Sequence, residues 1–212
     1  MASFADPTHP VPRLTSQDEQ KLIQLSLEGH LDSFNRLVEM HQDAVFSVAL
    51  RMVRNHAVAE DLTQDAFISA FSHLSSYRGG VFRAWLMRIV RNATYDHLRR
   101  TKRRPETSID KDIISFSETL ESNERSPQEW VQSGELGEII SHCMGRLSED
   151  QRMMVVLVDI EGYQYDEAAD MTGVSIGTVK SRLNRARANL RDCLQAHPEH
   201  LPHSMRLDSR EE

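Results

Sequence analysis

Apolar residues recur with helical spacing along almost the whole of this chain, and this periodicity predicts an all-α fold. Stripes of this kind occur at about residues 58–74, 82–100 and 149–160. Period-two alternation, the sign of a half-buried strand, is nearly absent. A long helix that Asp32 can cap illustrates the pattern. Its apolar side chains lie on one face, at Phe34, Leu37, Val38, Val45, Val48, Ala49, Met52 and Val53.

One segment interrupts the helical pattern and divides the chain. It is acidic, rich in serine and bounded by Pro105 and Pro127, which is typical of a linker. With 212 residues, 39% of them hydrophobic, the chain can build a core on each side of it. We therefore predict two small helical domains, at 16–104 and 128–195, joined by an acidic linker at 105–127, with a disordered tail at 1–15 and a C-terminal tail at 196–212.

The net charge of −7 conceals two basic patches. Five of the six residues from Arg99 to Arg104 are cationic, and the segment from Met171 to Arg191 holds five cations and no acid. Residues 105–134, in contrast, hold seven acids and two cations. Because screening limits each charge to about a Debye length, such patches attract polyanions whatever the total charge is. We expect the acidic linker to weaken the binding of polyanions by the free protein.

Other functions are excluded by what the sequence lacks. No apolar stretch approaches the roughly 18 residues of a membrane span, and the first twelve residues do not resemble a secretory signal. Cys143 and Cys193 are isolated in the sequence and do not resemble a CxxC metal or redox pair, so we expect a reducing, cytoplasmic location. Paired carboxylates, a nucleophile elbow and a phosphate loop are absent, which predicts neither an enzyme nor a cofactor.

Three histidines near the C-terminus, His197, His200 and His203, invite a metal-site interpretation. Pro198 and Pro202 prevent the regular helix that would align them. We therefore predict no metal site.

The stretch from Tyr163 to Arg191 is the most informative. A short helix ends at Gly173, and Ser175 can cap a longer basic helix that follows. A helix, a tight turn with glycine and a basic helix form the helix-turn-helix pattern. A solvated basic helix in an ordinary bundle would also be basic, but the turn glycine and the cap favour DNA binding.

The residues from Asp159 to Ala169 and from Ser175 to Arg187 resemble region 4 of bacterial sigma factors, and most of all the extracytoplasmic-function (ECF) group. The resemblance implies that the second helix enters the major groove at the minus-thirty-five element. Arginine and lysine there bind phosphates or guanine, and shorter polar side chains add hydrogen bonds. The implied contacts are Ser175, Thr178, Lys180, Ser181, Arg182, Asn184, Arg185 and Arg187.

Asp61, Gln64 and Asp65 share one helix face, and the segment around them resembles region 2.2 of the same family. A solvated acidic face is the ordinary alternative. The resemblance implies instead that these three residues bind the clamp helices of the beta-prime subunit of RNA polymerase.

The segment from Phe82 to Arg100 is similar to regions 2.3 and 2.4, which recognise and melt the minus-ten element in this family. A base turned out of the stack needs a pocket, and the exposed strand needs cations and stacking surfaces. Trp85 is expected in the core. The implied minus-ten contacts are Tyr77, Arg78, Gly79, Gly80, Arg83, Arg88, Arg91, Asn92, Arg99 and Arg100.

The loop before this helix departs from the family pattern. Only Gly80 and Val81 separate the Arg78–Gly79 pair from Phe82, where three residues are usual. The way in which this shorter loop captures a base is therefore open.

Taken together, the resemblance implies an ECF-type sigma factor whose partners are core RNA polymerase, through the beta-prime clamp helices and the beta flap, promoter DNA and an anti-sigma factor. Two alternatives stay open at this point. A helix-turn-helix repressor or activator would bind duplex DNA without polymerase, and a sigma-like mimic would sequester an anti-sigma factor without supporting transcription.

Overall fold

The computed structural model describes residues 16–103 and 127–198, with side chains from residue 17 in the first range and from residue 136 in the second. Within these ranges every regular element is helical, which confirms the all-α prediction. Several predicted segments lie outside the described residues: the N-terminal tail, nearly all of the predicted linker, and residues 199–212 of the C-terminal tail, which include His200 and His203.

The first region is a bundle of four helices. α1 spans Ser16–Leu27, α2 Leu31–Val53, α3 His56–Ser72 and α4 Phe82–Arg103, with a 3-10 turn at Leu74–Ser76 before α4. The prediction that Asp32 caps α2 is wrong, because the helix begins at Leu31, with His30 in the cap position. Asp32 lies in the first turn instead, where its charge complements the helix dipole.

The second region holds α5 (Pro127–Arg146), α6 (Glu149–Met154), α7 (Tyr165–Thr172) and α8 (Ile176–Gln195). The helix predicted over 149–160 changes form, because Val155–Ile160 is π-helical. Its widened turn is visible in the amide of Glu161, which donates to the carbonyl of Val156, five residues back. Six residues are too few for apolar spacing to separate a π-helix from an α-helix.

The two regions also pack against each other, with α4 against α7 and α2 against α6 and the π-helical segment. Their buried side chains form one continuous hydrophobic cluster. The guanidinium of Arg152, itself buried, donates to the Met52 carbonyl of the first region at 2.6 Å and to the Met144 carbonyl at 2.9 Å. The described structure therefore holds the regions together without the linker.

The cysteines are not isolated. Cys143 in α5 and Cys193 in α8 form a disulfide, with their Cα atoms 5.7 Å apart. The interpretation of the two cysteines as isolated is therefore wrong, because the fold brings together residues that are 50 positions apart in sequence.

Candidate nucleic-acid interface

The turn between α7 and α8 has the geometry that the sequence predicts. Gly173 adopts a left-handed conformation with φ of 68°, and its amide donates to the Ala169 carbonyl at 2.8 Å. Left-handed backbone suits glycine because a Cβ would crowd the following carbonyl. The Ser175 hydroxyl accepts the Thr178 amide at 3.2 Å and so caps α8. Both local signals are confirmed.

α8 divides into a buried face and an outer face. Val179, Leu183 and Ala186 lie in the core. Every residue predicted to contact the minus-thirty-five element lies on the remaining surface. Ser175, Lys180, Ser181, Asn184, Arg185 and Arg187 are exposed, and Thr178 and Arg182 are half-buried.

Two of the cations predicted to contact the minus-thirty-five element already have acidic partners. Arg182 lies 2.6 Å from a carboxylate oxygen of Asp150. Arg187 forms a bidentate pair with Asp159, and this hydrogen bonding raises the pKa of Arg187. In the described ranges no carboxylate pairs with Lys180 or Arg185, so these two cations are the ones most available to a polyanion.

The α3 face predicted to bind the polymerase is exposed. Asp61, Gln64 and Asp65 all face solvent. Asp61 and Gln64 also border a groove of about 890 Å³ between α2 and α3. Two apolar side chains beside them, Ile68 and Phe71, are 59% and 42% exposed. Exposed apolar surface rimmed by charge is typical of a protein-binding site.

The loop before α4 is tied to its own backbone. The Tyr77 hydroxyl donates to the Gly80 carbonyl at 2.6 Å, and its ring packs edge-on against Phe82 and Trp85 at 5.6 Å. Arg78, Gly79 and Gly80 are exposed. Trp85 is half-buried against the core, so it belongs to the wall of this aromatic cluster as much as to the interior.

The central part of α4 faces the second region. Arg88, Arg91 and Asn92 line a cleft of about 450 Å³ together with Asp170 and Gly173 of the helix-turn-helix. Another residue of α4, Arg83, is paired with Glu161. Arg99 and Arg100, near the end of α4, are exposed. The structure thus brings three of the predicted minus-ten residues together, but in a cleft whose other wall is α7.

The ion-pair cluster at Glu161 was missed by sequence reasoning. Its carboxylate, only 10% exposed, accepts a hydrogen bond from Ser47 at 2.5 Å and from Arg83 at 3.1 Å, and lies 3.9 Å from Arg51. Arg83 also lies over the Tyr163 ring, 4.7 Å from its centroid. No local pattern predicts this cluster, because Arg83 and Glu161 are 78 residues apart.

Two further side-chain contacts join α4 to α6. The Tyr95 hydroxyl donates to Asp150 at 2.9 Å, and Lys102 pairs with Glu149 at 2.6 Å. Burial and the neighbouring Asp150 carboxylate raise the pKa of Tyr95 well above its ordinary value.

The described residues contain neither a metal-binding group nor a membrane span. Among them, no group of three or more histidine, cysteine, aspartate or glutamate side chains is placed to hold a metal ion. None of the helices within 16–103 and 127–198 is long and apolar enough to span a bilayer.

The fold and these surfaces define a two-region helical protein with a helix-turn-helix. Family models for Sigma-70 region 2 and Sigma-70, region 4 match residues 37–104 and 137–190, which together make up more than half of the chain. The sequence is 35% identical over 170 residues to the ECF RNA polymerase sigma factor SigE of Mycolicibacterium smegmatis, covering 80% of this chain and 65% of that protein. It is 36% identical over 175 residues to the ECF RNA polymerase sigma-E factor of Escherichia coli, covering 80% of this chain and 90% of that protein.

A solved structure agrees with these matches. The sigma factor RpoE of Bartonella quintana, in complex with the anti-sigma factor NepR, is 27% identical, with a TM-score of 0.61 and coverage of 77% of this chain and 98% of that one. The chain belongs to the ECF sigma factors. Sigma factors are transcription initiation factors rather than enzymes, as the sequence predicts.

Proposed function

We propose that this chain binds core RNA polymerase in the cytoplasm, directs it to promoters that carry a minus-thirty-five and a minus-ten element, and helps to open the duplex. The observation that carries the proposal is the outer face of α8, where six predicted DNA contacts are exposed on a capped helix-turn-helix.

Lys180 and Arg185 are the principal DNA contacts in this proposal. An arginine that reaches a guanine edge discriminates between bases, whereas lysine on phosphate adds affinity without sequence preference. The Arg185 Nε donates to the Ser181 carbonyl at 3.3 Å, which directs its guanidinium along the outer face of α8. Arg182 and Arg187 would first have to exchange Asp150 and Asp159 for the DNA.

The polymerase side of the proposal rests on α3. Asp61, Gln64 and Asp65 offer acceptors to a basic helical partner, and Ile68 and Phe71 supply apolar contact beside them. We assign this face to the beta-prime clamp helices, and the second region to the beta flap.

Minus-ten recognition requires the cleft between α4 and α7 to open. Arg88, Arg91 and Asn92 can reach a single strand only when α7 no longer forms the opposite wall. Tyr77 with Arg78, Gly79 and Gly80 would hold the captured base, Arg83 would bind phosphate after leaving Glu161, and Arg99 and Arg100 would lie along the strand. An anti-sigma factor is proposed as a further partner, since the Bartonella quintana relative is bound to one.

In vitro transcription with purified core polymerase tests the proposal on a duplex promoter and on a pre-melted bubble template. The promoter is first identified from transcript 5′ ends after overexpression. We expect run-off product from both templates. Asp61→Arg with Gln64→Ala should reduce core binding at least about tenfold. The control is Glu28→Arg, which makes a similar charge change at an exposed residue directly after α1 and should leave core binding unchanged.

The DNA contacts have their own readout in the same assay. Arg185→Ala should weaken use of the duplex promoter by about tenfold or more, since a good base contact contributes about 1–3 kcal/mol. Core binding should be unchanged in that variant. A chain that binds duplex DNA but not polymerase would instead be a repressor or activator. Binding of an anti-sigma factor with no product from either template would indicate a mimic.

A further inference from the structure

The disulfide of the second region joins α5 to α8. α5 opens the region and α8 carries the predicted DNA contacts. Cys143 and Cys193 are the only two cysteines of the chain, so no other internal pairing competes with this one. Their Cα separation of 5.7 Å is within the normal range for a disulfide, and no movement of the backbone is needed to form it.

We propose that Cys143 and Cys193 form a reversible thiol–disulfide site that reacts with low-molecular-weight disulfides and fastens the end of α8 to α5. Disulfides in proteins that act beside a cytoplasmic polymerase are generally transient and redox-sensing rather than permanent. The inference about the bond rests on the geometry of the two cysteines and does not depend on the proposed DNA contacts.

The positions of the two cysteines set the order of reaction. Cys193 is 7% exposed and lies in the last turn of α8, which ends at Gln195. Cys143 is 1% exposed and lies inside α5. Because the ends of helices open more readily than their interiors, Cys193 is the thiol that a small molecule reaches first.

The exchange balances without a further oxidant. The Cys193 thiolate attacks one sulfur of the small disulfide, which forms a mixed disulfide and releases one thiolate. The Cys143 thiolate then attacks the Cys193 sulfur, which forms the internal bond and releases the second small thiolate. The two cysteine protons end on the two released thiols, so the protein is oxidised by two electrons and the small disulfide is reduced.

The bond should stabilise the second region. It closes a loop with a sequence separation of 50 residues, and such a closure restricts the unfolded chain. The His142 and His197 rings, with centroids 6.1 Å apart, flank the same junction between α5 and the end of α8. Oxidation is therefore expected to hold this end of α8 in place when thermal motion would otherwise separate it from α5.

The test uses the full chain, equilibrated with oxidised and reduced glutathione at a series of ratios. Thiols are then counted under denaturing conditions with a maleimide that shifts gel mobility. We expect both thiols to disappear together in a monomeric species, and the oxidised protein to melt about 5–10 °C higher than the reduced protein. The variants that lack one or both cysteines serve as controls: Cys143→Ser, Cys193→Ser and the double variant. The melting temperature of each should not change with the ratio of oxidised to reduced glutathione.

Three outcomes would overturn the proposal. The first is two modifiable thiols at every ratio, and the second is a disulfide found only between chains. The third is a redox-dependent melting shift that persists in the double variant. The comparison of oxidised with reduced wild type needs no substitution, and Cys143→Ala and Cys193→Ala replace any serine variant that fails to fold. No polymerase or DNA enters these measurements, so failure of the proposed function would leave their outcome unaffected.

Discussion

Tyr163 is a buried side chain at the junction of the two regions, between the π-helical segment and α7. Arg83 covers its ring, and its hydroxyl has no hydrogen-bond partner among the described residues. A buried hydroxyl without a partner costs free energy, so its removal is not expected to harm the fold. Burial also raises the pKa of Tyr163 to about 12.

The Tyr163→Phe variant should therefore change how stability depends on pH. The unfolded tyrosine ionises near pH 10, whereas the folded one keeps its proton until about pH 12. Stability from this difference is fully present below pH 10 and is lost as the pH rises through 12, because the unfolded state then binds fewer protons. Phenylalanine cannot ionise. The free energy of unfolding of the variant, relative to that of wild type, should therefore rise by about 1 kcal/mol between pH 9 and pH 11.

Urea unfolding at pH 7, 9 and 11 measures this. At pH 7 the variant should equal or exceed wild-type stability. Equal pH dependence in both proteins would show that Tyr163 ionises alike in the folded and unfolded states. A loss of more than about 1 kcal/mol at pH 7 would show that its hydroxyl makes a stabilising hydrogen bond.

The burial of Arg152 could not be predicted from the sequence. Composition places an arginine at the surface, yet this one is 8% exposed and donates to the carbonyls of Met52, Met144, Gly145 and Leu147. Burial lowers its pKa. Every residue carries a carbonyl, so no side-chain pattern could have identified these acceptors.

At the level of elements, the helix-turn-helix was the most predictable part of the fold. Its signals are local: a glycine at the end of α7 and a serine that caps α8 lie within three residues of each other. The Cys143–Cys193 bond and the contact of α4 with α7 depend instead on residues that are far apart in sequence, so periodicity could not predict them.

Two glycines in this motif should respond to alanine in opposite directions. Gly173 has φ of 68°, and a Cβ there would meet no atom within 4 Å, so only backbone strain opposes alanine. Gly177 lies within α8, where a Cβ would meet only the Ser175 hydroxyl oxygen at an ordinary 3.8 Å. Gly173→Ala should lower the free energy of unfolding by about 1 kcal/mol, and Gly177→Ala should raise it by roughly 0.5–1 kcal/mol.

Chemical denaturation of the two variants under one redox condition provides the measurement. Both sites are exposed and both changes add the same methyl group, so each variant is the control for the other. Destabilisation by both substitutions would indicate that the added methyl, rather than the left-handed backbone, is responsible.

At the scale of the whole molecule, the closed packing masks part of the predicted DNA surface. Glu161 neutralises Arg83, one of the predicted phosphate contacts, and α7 lines the cleft that holds Arg88, Arg91 and Asn92. The hypothesis that linker acids suppress DNA binding concerns residues outside the described ranges. If α4 binds a strand as proposed, the described contacts supply a separate reason to expect weak DNA binding by the free protein, because they would have to break first.

This packing should also couple the unfolding of the two regions, and Glu161→Gln tests that coupling. Glutamine keeps the size of the side chain but removes the charge that Arg51 and Arg83 share. Loss of the anion between two partly buried guanidinium groups should weaken the closed packing by about 2 kcal/mol, or roughly 30-fold in the ratio of closed to open molecules. Calorimetry should show one transition in wild type and two in the variant, with a larger radius of gyration in X-ray scattering.

Lys102→Ala is the matched control for this change. It removes the Lys102–Glu149 pair, which also joins the two regions but has a lysine that is 74% exposed. Such a pair contributes less than about 1 kcal/mol, so this variant should keep a single transition. If Glu161→Gln kept one transition and an unchanged radius, the apolar contacts of α4 with α7 would be sufficient to hold the regions closed. Opening would then have to come from the polymerase, through competition for those apolar surfaces rather than for Glu161.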